Sequence, residues 1–230
     1  MQPDVDHNKI IKQTVNAVLK PNGLFQKGSA RIWIDDNGWY LTVVEFQPSA
    51  WSAGSYLNVA IHYLWDDKDY LSFDYCCNER SIFIHRVGDF VEFDGDAAKF
   101  SSDIQGLAET AMRKVNEYRC FRDLDYARTA ILQSEAHRVV DTLYPRLMIC
   151  GLCRDPHVAD HFEELLRVLR STDMEWTRKY YVELTENIAP IIDDPQKLYS
   201  YIRAKIMRRR EFWLSKSSMK KLNRQAVFLD

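Results

Sequence analysis

Glycine and proline are scarce, 8 and 7 in 230 residues, which excludes collagen-like and low-complexity architectures and leaves a chain that folds around a core. No run approaches the roughly 18 uninterrupted apolar residues that span a bilayer. The opening MQPDVDHNKIIKQ has neither the basic start nor the apolar centre of a secretory signal. The expected compartment is therefore the cytoplasm, with no membrane span. Cysteine is odd in number at 5, and the adjacent Cys76 and Cys77 cannot readily bridge each other, so reduced thiols are expected instead of a disulfide framework. Also missing are G-x-x-x-x-G-K-[ST], G-x-G-x-x-G, G-x-S-x-G and H-E-x-x-H. The common nucleotide, hydrolase and metalloprotease signatures thus give no support, and no catalytic residue is assigned.

What is present is a change of period along the chain. Asp6 can cap a helix in which Ile10, Ile11, Val15, Val18 and Leu19 recur at helical spacing, and Pro21-Asn22-Gly23 stops it. The strands RIWIDD and WYLTVVEFQ then flank Asp36-Asn37-Gly38, a strong hairpin signal. YLNVAIHYLW, YLSFDY, SIFIHRV and FVEFD follow as further antiparallel strands. In the first of these, Leu57, Val59, Ile61, Tyr63 and Trp65 share one face, and Tyr56, Asn58, Ala60, His62 and Leu64 the other. Helices are expected over 102–119, 123–149, 155–171, 174–189 and 195–215. The fold class is α+β: an N-terminal helix and antiparallel β-sheet followed by a helical C-terminal half. Residues 1–120 form the α+β domain, and 121–230 form a helical region with a basic C-terminal helix, packed on the first as one unit.

The stretch QPSAWSAGSYLNVAIHYLW, preceded by a helix, LFQKGSARIWIDD and an aromatic second strand, resembles an uncharacterised bacterial family, domain of unknown function family 4304. The shared pattern includes a G-F-x-K-x-x-like lead into the first strand, here Gly23-Leu24-Phe25-Gln26-Lys27, with Leu24 in place of Phe. It also includes a Q-x-S-x-W-like segment from Gln47 to Trp51 and a following strand that contains Asn. The resemblance covers about residues 9–125 and implies a bacterial α+β protein whose C-terminal part is completed by helices. It implies no activity.

Several constellations offer chemistry. Residues 150–161, CGLCRDPHVADH, place Cys150, Cys153, His157 and His161 in one dozen residues, and Asp155-Pro156 starts a helix that would put both histidines on one face. Zinc is the candidate cofactor, at bond lengths of about 2.0 to 2.3 Å. Zinc motifs separate their ligand pairs by a longer loop, however, and Val158, Phe162, Leu165, Leu166 and Leu169 form an apolar stripe. Those two features favour a helical hairpin packed closely through Gly151 and buried cysteines, with no cofactor. Asp35-Asp36 with Glu45-x-Gln47 resembles a Mg²⁺ nuclease pattern but has Gln where lysine would stand. Asn58, His62 and His85 share a polar sheet face on which satisfied histidines are the simpler reading.

Charge is unevenly placed. Residues 203 to 230 hold nine Lys or Arg against Glu211 and Asp230, while the whole chain carries −2. Arg208, Arg209, Arg210, Lys220 and Lys221 can neutralise nucleic-acid phosphates, with Phe212 or Trp213 stacking on bases. Alternatively, Tyr199, Ile202, Ile206 and Trp213 pack inward and the arginines meet water or the acidic body. Aromatics make up 13% of the chain, enough to supply anchors for a protein partner, and Trp39, Trp51 and Tyr56 are the candidates. The expected function is a non-catalytic protein-interaction module of a bacterial cytosol, an inhibitor or accessory subunit. Its competitor is a nucleic-acid-binding protein using the basic C-terminal helix, with or without metal-dependent nuclease activity.

Overall fold

The computed structural model describes residues 6–76, 85–135, 138–172 and 174–222. The chain divides into two compact units. One takes the chain up to Arg119 together with the stretch from Arg210 onward; the other is Cys120–Arg209. The stretch from Arg210 to Leu222 belongs with the sheet and not with the helices that precede it.

In the first unit, α1 (His7–Leu19) starts where Asp6 accepts the N–H groups of Asn8 and Lys9, and buries Ile11, Val15 and Leu19. Gly23 then takes a left-handed conformation and turns the chain into the sheet. Among the described residues five antiparallel strands follow in sequence order: β1 (Phe25–Gln26), β2 (Ile32–Asp36), β3 (Tyr40–Gln47), β4 (Gly54–Tyr63) and β5 (Val91–Glu92). At the β2–β3 turn, Gly38 alone carries the positive φ, 83°. Asn37 keeps a negative one and spends its amide on the Asp35 carbonyl, the Asp35 carboxylate and the Thr42 hydroxyl.

Register sorts the sheet residues into two faces. Trp33, Val44 and Val59 lie in line on one face, and Ile34, Val43 and Ala60 on the other. The first face is packed by α1 and by α2 (Ala97–Arg119): the Trp33 indole donates to Asn16, and the Tyr40 hydroxyl donates to the Tyr118 carbonyl. Trp33, Trp39 and Trp65 are fully buried. At about 200 Å² each and roughly 25 cal/mol per Å², these three indoles contribute on the order of 15 kcal/mol of transfer free energy.

Beyond β4 the strands expected from sequence shrink. YLSFDY reduces to a bridge between Tyr75 and Ile61, because the Asp74 carboxylate takes the Tyr63 N–H that a paired strand would have used. Most of SIFIHRV lies outside the described residues; its Arg86 bridges Asn58. FVEFD survives as β5.

The second unit is helical: α3 (Leu124–Gln133), α4 (Val139–Cys153), α5 (Val158–Arg170), α6 (Arg178–Val182) and the larger part of α7 (Pro195–Ser215). The helix expected over 123–149 is two helices, because Ser134 turns extended and its hydroxyl back-bonds to the Ile131 carbonyl. A π-helical turn, Glu183–Ile188, follows α6. Its first residue, Glu183, accepts from Tyr144, Tyr201 and the buried Lys205. That set satisfies the carboxylate and the ammonium away from water.

The close packing expected at Gly151 is present, and its partner is α7. A Cβ built there would stand 2.5 Å from Ile202 Cδ1 and 3.0 Å from Leu198 Cδ2. Gly151→Val should therefore cost about 1 to 3 kcal/mol through overpacking, measured as a lower urea midpoint with an unchanged slope.

Candidate interaction surface

The three aromatic candidates separate cleanly. Trp39 is core: it stacks on Trp65 with ring centres 4.9 Å apart and on Tyr63 at 6.0 Å. It is unavailable to a partner because the hairpin turn folds its ring back over the end of the sheet. Tyr56 is half-buried, with the Arg86 guanidinium 3.7 Å above its ring and Phe90 beside it. Trp51, on the β3–β4 loop, is 94% exposed.

A denser surface lies in the second unit, where the sequence offered no aromatic candidate. α5 buries Val158, Phe162, Leu165, Leu166 and Leu169, the expected stripe. The chain then leaves the helix and makes a short 3₁₀ turn, Glu175–Thr177, before α6. Met174, Trp176, Tyr181 and Val182 are all exposed. The Trp176 indole donates to Met174 Sδ at 3.1 Å, and the Arg138 guanidinium lies 4.6 Å from its ring centre. Beside them is a cleft of about 580 Å³, floored by Leu169 and bounded by Arg170, Met174, Glu175, Arg178 and Tyr181. The hydroxyls of Thr172 and Thr177 are spent on the carbonyls of Val168 and Met174. The side chains of Arg170, Glu175 and Arg178 make no hydrogen bond, ion pair or ring contact among the described residues. The sequence signal was legible: MEWTRKYYV holds more large apolar residues than one face of a short helix can bury, and only Tyr180 among them goes inside.

The Cys/His segment forms the hairpin. Arg154, at φ 54°, ends α4, and Asp155 accepts the His157 N–H while pairing with Arg128 at 2.7 Å. His157 precedes α5 and points outward beside Asp160, whereas His161 is half-buried. Cys150 is buried, and Cys153 donates to the Leu124 carbonyl. Among the described residues no three His, Cys, Asp or Glu side chains are grouped to hold a metal ion. Burial pushes the Cys150 thiol up to about 12 and Cys153 up to about 11, so both stay protonated near neutral pH and neither is an activated nucleophile.

The basic C-terminal residues are divided. Arg210 is 2% exposed; it grips both oxygens of Asp36 at 2.7 Å and donates to the Gly38 carbonyl. Arg209 is buried, while Arg208, Lys220 and Lys221 are exposed. Asp35, on the opposite sheet face, accepts two hydrogen bonds from Arg119. Adjacent carboxylates directed to opposite faces and each held by an arginine do not form a shared metal seat.

On the polar sheet face, the Asn58 amide donates to Glu45 and Gln47, each at 2.9 Å. His85 stacks on Phe73. His62 is fully buried, and its Nδ1 meets both Ser72 Oγ at 2.8 Å and Asp74 at 3.4 Å. A proton relay needs hydroxyl and carboxylate on different ring nitrogens, so this Ser-His-Asp group is not a catalytic triad. Burial opposes ionisation of Asp74, but hydrogen bonds and charge from His62 and Lys68 outweigh it and hold its carboxyl well below the usual carboxylate range.

Compared with family models, curated proteins and solved structures, the chain matches none. The family resemblance of residues 9–125 therefore rests on the residues quoted for it. Among the described residues, no helix is long and apolar enough to cross a membrane.

Because the folded-state Asp74 binds its proton more weakly than the unfolded one, the native state holds fewer protons and stability rises with pH through that window. The contribution is full above about pH 4 to 5 and is lost on further acidification. The stability gap between the wild-type chain and Asp74→Asn should accordingly be widest near neutrality and narrow below about pH 4; urea titrations at stepped pH check this.

Proposed function

We propose that the chain is a non-catalytic protein-interaction module, an inhibitor or accessory subunit, and that it engages its partner through the Met174–Val182 surface. The observation that supports this most is the clustering of exposed Met174, Trp176, Tyr181 and Val182 beside a cleft, in a chain whose Trp33, Trp39, Trp65 and Trp213 are all buried. Exposed apolar groups gathered in one place mark contact surfaces, whereas scattered ones do not. Trp, Tyr, Met and Arg are the side chains enriched there. The cleft volume falls within the range of ligand-binding clefts. Trp51 stands alone on its loop and is a secondary contact. The nucleic-acid reading is the weaker one, since Arg210 is already committed to Asp36.

Trp176→Ala should lower affinity for the partner by about 2 kcal/mol, roughly thirty-fold in Kd, while the melting temperature stays near that of the wild type. The measurement is quantitative affinity capture from the source cells with wild type and variant side by side, followed by titration of the purified partner. A set of bound proteins that is identical for both would overturn the reading.

A further inference from the structure

The cleft supports a more specific statement about what it takes, which rests on the interaction-surface reading above. Its floor is the buried Leu169, and Met174 and Tyr181 add apolar walls, so the interior suits a leucine-sized or aromatic side chain. Its rim carries Arg170 at the end of α5 and Arg178 at the start of α6, and both lack any partner among the described residues. Elsewhere in the described chain, Arg119, Arg128, Arg138 and Arg210 are each held by an aspartate. Among the described residues, Arg170 and Arg178 are guanidinium groups without a side-chain partner beside an apolar hollow. Glu175 is the one carboxylate on that rim among the described residues, and the stretch from Arg167 to Val182 holds four Lys or Arg against two Asp or Glu.

A guanidinium offers a planar fork of donors that matches a carboxylate, and it sheds water more readily than an ammonium does. Two forks flanking one apolar hollow recognise an apolar side chain with carboxylates on either side of it. We infer that the Leu169–Tyr181 cleft binds an acidic peptide segment of the partner, inserting one leucine or aromatic residue between Asp or Glu side chains that pair with Arg170 and Arg178. Glu175 adds selectivity, because it repels a carboxylate placed at the wrong end of the segment.

The test uses the full-length chain and a displayed library of random twelve-residue peptides. It includes three exposed-site variants, Tyr181→Ala, Arg170→Glu and Arg178→Glu, whose folding is checked by thermal melts. The expected pool is enriched in Asp and Glu around a leucine or aromatic residue. A synthetic member of it should bind roughly tenfold more weakly to each Arg→Glu variant and more weakly to Tyr181→Ala, with affinity falling as salt rises. A neutral or basic pool that is lost in Tyr181→Ala would overturn the acidic assignment and leave the interaction surface standing. A pool indifferent to all three variants, or no selected pool, would overturn both. A labelled single-stranded RNA held by the same two arginines in place of peptide would overturn the protein-partner assignment outright.

Discussion

Two adjacent carboxylates at the end of β2 hold the first unit together. Neighbouring residues of a strand point to opposite faces, so Asp35 and Asp36 face different layers, and each is met by an arginine from a different helix. Arg119, the last residue of α2, takes Asp35 and also reaches the Asn22 carbonyl. Arg210, near the end of α7, takes Asp36 and the Gly38 carbonyl. One hairpin thereby holds, within that unit, Arg119 and Arg210, 84 and 174 positions away, on the two faces of the sheet. Both arginines bind in a bidentate manner to carboxylates that are largely buried; loss of either partner would leave a charge in a low-dielectric setting with nothing to oppose it.

The same constraint accounts for part of the uneven charge of the chain. The basic C-terminal stretch reads, on composition, as a surface for phosphates, yet Arg210 is an internal strut and Trp213 packs edge-on against His62. Where a chain spends its cations internally, the ones it leaves unspent carry more information. Among the described residues Arg170 and Arg178 have no side-chain partner, and they border the surface where large apolar side chains are also left exposed.

Much of the architecture was legible in the sequence because local physics decides it. The Asp6 cap, the Pro21-Asn22-Gly23 stop, the Asn37-Gly38 hairpin, the α5 stripe and the span 195–215 each follow from short-range rules, and each is present. What was not legible depends on distant partners. The strand expected at YLSFDY gives way because the Asp74 carboxylate takes the N–H of Tyr63 and meets His62, contacts that no local alternation pattern announces. Trp39, Trp51 and Tyr56 look alike as aromatic residues of a sheet, and only the packed structure shows that the first is core, the second exposed and the third half-covered. The Met174–Val182 surface was overlooked because its span reads as helix; the excess of apolar residues over what one short helix buries is the feature that distinguishes it.

The most direct measurement is a double-mutant cycle on Asp36 and Arg210, with Asp36→Ala, Arg210→Ala and the pair together followed by urea unfolding. If the hairpin carboxylate is the strut described, each single change costs about 3 to 5 kcal/mol and the double change costs little more than either, because the second removal relieves the charge stranded by the first. Costs that simply add, with no coupling between the two positions, would contradict the account and return the basic C-terminal stretch to service as an external binding surface.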